Sequence, residues 1–537
     1  MSDRLILPVE VAGIAFKNPF FVASGPTTRT VEQLVAIERA GWAAASLKLS
    51  VEPAPYISRY PRYALLPEYN ALGFTAEKRL TYDQGRRLME AGKKSVKDLI
   101  LLANITYSGD LGVDGWVEMA LGFEASGADL IELNMCCPNM SFNVQTTAGD
   151  KEAIAQNTGA SMGQSGEAVA EVVRAIKAKL QIPLVVKLTP EGGGIGRVAH
   201  AAYLAGADAV SGTANRLGMP PIDLENPGCS TIHLQDEVGM ACMCGAWLKP
   251  LAQRDTFEMR RICGPDMPIF ATGGIRTAED ALQMAMCGGD LIGICTETLI
   301  SGYNFIGDVI ADTKAWLHAH GHTSLRDIRD QMIPAVKSAP ELTLYRGYAE
   351  VAKPDLIASC MAVCPKSVEI QAVLRRVAEG DMTRAMELAA GSEHCMDCPA
   401  PCETACVRGR ADKAVSIRSI MLELRAHADQ AGMEIAMRPD GRLVGRPVVK
   451  AADVLAGRQV DGLGVAADGL QAAALRCLRC GCGEGCGVCA DLCCEFAIGY
   501  DEANQISIDP KRCVACGICY NRCPDRNIRI FNTGERL

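Results

Sequence analysis

The sequence predicts an α/β protein: a (β/α)8 barrel over residues 1–320, a helical cysteine-rich domain over 330–435, a linker over 436–470 and a small cysteine-rich domain over 471–537. Three observations lead there. Apolar β runs alternate with helix-like stretches as far as residue 320. The 25 cysteines are unevenly spread: eight precede residue 300, six lie between Cys360 and Cys406, and eleven crowd between Cys477 and Cys523. Between the last two groups, RPDGRLVGRPVVKAADVLAGRQ combines Gly, Pro and charge in the manner of a linker.

The apolar runs are, in order, FFVASG, AASLKL, LLANIT, LIELNM, PLVVKLT, AVSGTAN, IFATGGI and LIGICTE. Helical patterns such as TVEQLVAIERAG, EAVAEVVRAIKAKL and TAEDALQMAMCG lie between them. Such alternation builds a parallel barrel whose active site sits at the C-terminal ends of the strands. Polar residues and glycines cluster at those ends: Ser24, Lys48, Asn104, Asn134, Lys187, Thr213, Gly273 and Thr296. TGGI and GICTE suit a phosphate late in the barrel, because glycine lets backbone N–H groups approach the anion.

Composition narrows the rest. Hydrophobic residues at 49% and charged residues at 22% describe a soluble globular chain. A net charge of −9 leaves no basic footprint and excludes nucleic acid as the main partner. The start, MSDRLILPVEVAG, does not read as a signal peptide, and no apolar run reaches the roughly 18 residues of a membrane span. A cytoplasmic protein is expected, so the cysteines point to metal or redox chemistry rather than disulfides.

The C-terminal run KRCVACGICYNRCP places Cys513, Cys516, Cys519 and Cys523 before Pro524. This is the C-x2-C-x2-C-x3-C-P spacing of bacterial ferredoxins, in which the fourth cysteine serves the neighbouring cluster. Upstream, RCLRCGCGEGCGVCADLCC keeps the x2 and x3 spacings at Cys486, Cys489 and Cys493. Cys482 sits one residue too far away, and Cys494 replaces the proline. The expected assignment is two 4Fe–4S clusters, one on Cys482, Cys486, Cys489 and Cys523 and one on Cys513, Cys516, Cys519 and Cys493. ISIDPKR between the runs alternates as a strand of a ferredoxin-like domain.

The middle segment holds CMAVCPKS, a helical stretch and CMDCPAPCETACVRG. It resembles the iron–sulfur helical domain of dihydropyrimidine dehydrogenase and of the glutamate synthase small subunit. The resemblance implies one cluster on Cys364, Cys398 and Cys402, and part of another on Cys360 and Cys406. RCLRC, with Cys477 and Cys480, would complete the second. The family's last ligand, a carboxamide or carboxylate, aligns with Met421, with Glu423 as a substitute. One or two further 4Fe–4S clusters follow.

In the barrel, KLTP, ELNxxCPN and YNALGF make the chain similar to the FMN barrel of dihydroorotate and dihydropyrimidine dehydrogenases. The resemblance implies that Lys48 and Lys187 contact the flavin and that Gly245, Ala246, Gly273, Gly274, Cys295 and Thr296 receive its phosphate. Ser24, Asn104 and Thr213 join them as cofactor contacts. Asn70 and Asn134 would bind substrate amides, as would Asn215, which lies one position from the family's asparagine. Cys137 aligns with the loop cysteine that moves a proton, while Cys136 packs where the family has serine. Cys229, Cys242, Cys244, Cys263 and Cys287 read as buried structural thiols, and no role falls to the histidines.

Two departures stand out. The loop MSFNVQTTAGDKEAIAQNTGASMGQ is longer than in the pyrimidine enzymes and lacks their CPHGM continuation. No G-x-G-x-x-G opens a dinucleotide-binding unit. The expected protein is therefore an oligomeric FMN and iron–sulfur oxidoreductase that transfers hydride at an activated C–C double bond of a small cyclic substrate. Its electron partner would be a separate FAD/NAD(P)H-binding subunit or a ferredoxin. Two alternatives stay open: a non-catalytic electron-transfer subunit, and a related reductase with a non-pyrimidine substrate.

Overall fold

The computed structural model describes residues 7–52, 63–74, 79–137, 159–213, 215–226, 228–230, 240–352, 357–389, 393–410, 412–430, 469–478, 488–500, 506–523 and 526–536. The long loop after Cys137, most of the 436–470 linker, and Cys480, Cys482 and Cys486 lie outside these residues. The chain divides into two compact units between Ser338 and Ala339. Among the described residues, no helix is long and apolar enough to cross a membrane.

In the first unit all eight predicted runs are strands: β1 Phe20–Val22, β2 Ala44–Ser46, β3 Ile100–Tyr107, β4 Leu130–Met135, β5 Leu184–Leu188, β6 Ala209–Gly212, β7 Ile269–Thr272 and β8 Leu291–Ile294. Each pairs in parallel with the next, and β8 pairs with β1 (Ile292 opposite Phe20), which closes the barrel. Helices fill the connections: α1 Val31–Ala40, α2 Tyr82–Ser95, α3 Gly112–Ala125, α4 Gly166–Lys177, α5 Ile195–Leu204, α6 Lys249–Cys263, α7 Ala278–Met286 and α8 Ile306–Ala319. The local reasons are explicit at α1. Thr30 and Gln33 form a capping box at its start, and Gly41 ends it in the left-handed conformation at φ 101°.

Period 2 along each strand sorts the side chains. Outward residues such as Ile131, Leu133, Val186 and Val210 pack against the helices in one large core. Inward residues near the strand starts, Phe21, Leu102, Leu130, Val185 and Phe270, form a second, smaller core. The hairpin Val9–Val11 and Ile14–Phe16 caps this inner core: Phe16 meets Phe270 edge-on at 6.5 Å. Further along the same strands the inward residues turn polar, and there the site begins.

The second unit differs from the expected boundaries in two places. Strand β9 (Tyr345–Val351), expected in the helical domain, pairs antiparallel with β12 (Ile528–Arg536), so Ala349 faces Ile530. It thereby joins the ferredoxin-like module, which also holds the predicted strand β11 (Ile506–Ile508) paired with β10 (Ile498–Tyr500). Conversely, α12 (Gly469–Leu475), expected at the end of the linker, buries Leu470 and Ala474 against α9 (Ile370–Ala378) and α11 (Ile417–Gln430). Short elements like these have too little apolar surface to stand alone, so each adds to whichever sheet edge or helix face is unfilled. α10 (Met382–Leu388) completes the helical core.

Candidate active site and cysteine clusters

The strand ends open into a cavity of about 410 Å³, and every predicted barrel residue except Asn104 lines it. Asn104 lies one layer deeper. Only 1% exposed, it donates from Nδ2 to the Glu132 carboxylate and accepts from Asn134 Nδ2 at 2.9 Å. The expected cofactor contact is an internal support instead, because residue 104 falls below the rim of β3.

Glu132 was not foreseen. It is fully buried and accepts from Ser46 Oγ at 2.5 Å as well as from Asn104. Burial alone would depress the neighbouring Lys187 ammonium, but Glu132 and the adjacent thiols outweigh it and hold the pKa above the ordinary lysine value. Lys187 therefore keeps its charge although it is only 7% exposed. The signal was present in LIELNM, a lone carboxylate inside an apolar strand, and a buried acid needs a partner.

Cys137 and Cys136 diverge as expected. Cys137 is half-buried on the cavity wall and its Sγ accepts from Arg79 Nη2 at 3.5 Å. Cys136 is 3% exposed, its Sγ donates to Asn134 Oδ1 at 3.4 Å, and burial pushes its thiol up to about 12. Asn134 is thus oriented by Asn104 on one side and Cys136 on the other. Ser24 Oγ donates to Leu47 O at 2.7 Å. Thr213 Oγ1 donates to buried Asp255, which Arg254 holds at 2.6 Å and Arg216 at 3.5 Å. Of the thiols expected to be buried, Cys242 and Cys263 are; Cys229 is exposed, Cys287 is half-buried, and half-buried Cys244 lines the cavity.

The far wall is backbone. Gly273 and Gly274 have φ of 119° and 74°, and a Cβ on Gly274 would lie 2.5 Å from Lys249 N. Gly245, at φ 109°, approaches Asn70 O equally closely in kind, with a Cβ distance of 3.1 Å. With Ala246, Cys295 and Thr296 on the same cavity, these turns form a cradle that side chains would fill. Glycine turns for a phosphate and two buried lysines for an electron-accepting ring fit a flavin mononucleotide.

Known proteins agree with this site. The dihydroorotate dehydrogenase pattern matches residues 6–317. The chain belongs to the dihydroorotate dehydrogenase family. It is accordingly an FMN-dependent oxidoreductase acting on CH–CH bonds, and a match to the 4Fe-4S binding domain over residues 506–529 adds at least one 4Fe–4S cluster. Among its relatives, the NAD-dependent dihydropyrimidine dehydrogenase subunit PreA of Escherichia coli is 26% identical over 340 residues, 61% of this chain and 78% of the relative. The dihydroorotate dehydrogenase B (NAD(+)) catalytic subunit of Pyrococcus abyssi is 28% identical over 329 residues, 60% of this chain and 98% of the relative. The chloroplastic dihydropyrimidine dehydrogenase (NADP(+)) of Arabidopsis thaliana is 25% identical over 345 residues, 60% of this chain and 76% of the relative.

In this family member the second unit gathers its thiols into groups. Cys493, Cys513, Cys516 and Cys519 line one small pocket with Ala349 and Ile498. Backbone N–H groups donate to sulfur at Cys513 (from Ala349, 3.2 Å), Cys493 (from Ala497, 3.3 Å) and Cys523 (from Asn527, 3.2 Å), a pattern that favours the thiolate. Cys489 is buried and Cys523 half-buried; their expected partners Cys482 and Cys486 lie outside the described residues.

In the helical domain Cys364, Cys398 and Cys402 line a second pocket, and Cys395 lines it with them. Cys395 was missed, although CMDC offers a C-x2-C pair. Met421 packs into the pocket wall without a donor to offer, and Glu423 does not line it. Burial, then the charges of Cys477 and Cys406, push buried Cys360 up to about 12, which brings these three together; Cys480 lies outside the described residues. Among the described residues no three His, Cys, Asp or Glu side chains surround a point fit for a single metal ion. A 4Fe–4S cube is a larger body held by thiolates at its corners, for which thiol-lined pockets are the relevant geometry.

Proposed function

We propose that the chain interconverts a single and a double carbon–carbon bond in a small cyclic amide or imide, with electrons exchanged through its iron–sulfur clusters with a separate protein. The observation that carries this reading is the meeting of Cys137, Asn70, Asn134 and Asn215 with Lys48 and Lys187 on one cavity. Bound FMN would supply hydride exchange with one substrate carbon. The three asparagines would hold the ring, since a carboxamide donates and accepts together. Cys137 Sγ would give or take the proton at the neighbouring carbon. Lys48 and Lys187, the latter kept charged by Glu132, would offset the negative charge that reduction brings to the cavity. The relative named as an NAD-dependent subunit supports a nicotinamide and FAD site on a partner chain, or a ferredoxin in its place.

The thiols divide into four ligand sets: Cys493, Cys513, Cys516 and Cys519; Cys482, Cys486, Cys489 and Cys523; Cys364, Cys395, Cys398 and Cys402; and Cys360, Cys406, Cys477 and Cys480. Four 4Fe–4S clusters correspond to about 16 iron atoms per chain. So many reduced thiolates suit the cytoplasm. The test is single-turnover: chemically reduced enzyme, mixed anaerobically with uracil and related cyclic amides, should be re-oxidised, while the pure chain should not oxidise NADH or NADPH. Silence toward the whole panel, with flavin and iron intact, would leave only the electron-transfer role.

A further inference from the structure

We infer that the substrate carries a carboxylate and that Arg79 binds it. The inference deepens the reading above, since it rests on the same cavity. Arg79 is 6% exposed and lines the cavity beside Cys137. Its described polar contact is the long one to Cys137 Sγ at 3.5 Å, and among the described residues no carboxylate pairs with it.

Other buried arginines of this chain are fully engaged. Arg260, 2% exposed, reaches Asp290 at 2.6 Å and the carbonyls of Gly264, Met267 and Gly288. Arg408, 1% exposed, binds Asp412 with two N–H groups, both at 2.6 Å. A guanidinium removed from water is stable only when its forked donors are met. At Arg79 the cavity is the space left for that acceptor, and a carboxylate is the planar group that matches the fork.

The position also has chemical sense. A carboxylate conjugated to the double bond repels an incoming hydride until its charge is neutralised. A cation next to the proton-transfer thiol would neutralise it while aligning the adjacent carbon with Cys137 Sγ. The amides recognise the ring and Arg79 selects the acid, so an uncharged pyrimidine would leave the guanidinium unmet. That mismatch is the penalty by which buried polar groups reject the wrong ligand.

Three probes separate the two features: orotate carries ring imide and carboxylate, uracil the imide alone, and benzoate the carboxylate alone. Each is titrated into the FMN- and iron-loaded full chain, and binding is read from the flavin absorbance shift. Orotate should bind the wild type about 10- to 100-fold more tightly than uracil, the worth of hydrogen bonds to a charged group. Arg79→Met should erase that preference while leaving uracil binding in place, Arg79→Lys should keep part of it, and Cys137→Ala should preserve it. Equal binding of orotate and uracil by the wild type overturns the carboxylate assignment with no variant needed, as does a preference that survives Arg79→Met. In both cases a uracil response leaves the cyclic-imide reading standing. A response to benzoate alone, lost in Arg79→Met, upholds the carboxylate and overturns the imide. Silence from all three overturns both.

Discussion

In the barrel, the residues that meet at the cavity come from the whole first unit, from Ser24 at the end of β1 to Thr296 after β8. In the ferredoxin-like module, three of the four thiols in one pocket, Cys513, Cys516 and Cys519, come from a single loop and the turn of helix that follows it. The two regions also differ in what fills their interiors. The barrel has a continuous aliphatic core between strands and helices, with no cofactor contact. The small module's core contains Ala349, Val351, Ile506 and Ile528 with two cysteines, Cys489 and Cys519. A framework whose core is partly its own ligands depends on the metal to fold, whereas a barrel can lose its cofactor and stand.

The largest effect should follow from that contrast. Stripping iron under anaerobic chelation should abolish amide-exchange protection over 488–536, while β1 to β8 stay protected. Retained protection in both regions would break the comparison. Next in size is the proton-transfer thiol: Cys137→Ala should slow re-oxidation of reduced enzyme by substrate about 10²- to 10⁴-fold. Flavin reduction through the clusters should be unchanged, and equal rates of re-oxidation would remove the thiol from the chemistry.

Glu132→Gln should come third, destabilising the barrel by about 3–5 kcal/mol in denaturant unfolding, because it leaves Lys187 buried without its counter-charge. The sign with pH is set by the raised lysine. The wild-type pair contributes fully below the ordinary lysine value of about 10.4 and is lost only as pH rises through the higher folded value. Wild-type stability should therefore show no loss from this pair between pH 5 and 9, and in the variant the difference should narrow as pH rises, since burial then lets Lys187 discharge. A wild-type decline centred near neutrality that the variant lacks would contradict the assignment.

A smaller change tests Cys395 in the second unit. Cys395→Ala should cost about four iron atoms per chain and one cluster's signal in electron paramagnetic resonance. Met421→Gln in the same chain should restore part of both, because it returns a donor to the pocket wall. Unchanged iron in the single variant would return Cys395 to packing. Smallest of all is Cys136→Ser, expected to leave rates within about twofold, as a hydroxyl can keep the bond to Asn134 Oδ1 and the buried thiol holds its proton throughout the working range.

Much of this was determined by sequence alone. Alternating apolar runs specify the eight strands, because period 2 and period 3.6 are local properties of the chain. The thiol spacing before Pro524 is equally local, so the pocket of Cys513, Cys516 and Cys519 was legible without a fold. The partner Cys493 was legible only through the ferredoxin resemblance. Other features were decided by tertiary structure. Asn104 sits at a strand end in the sequence like Asn134, but its depth in the barrel turns it from a contact into a support. Arg79 follows no motif, and it gains meaning only where the fold brings it to Cys137. Cys395 joins Cys364 across an intervening helix pair, and Tyr345–Val351 finds its partner strand at the far end of the chain. Which side chains share a cavity depends on strand stagger and on which short element covers which open edge, and those are contacts between residues distant in sequence that no local pattern encodes.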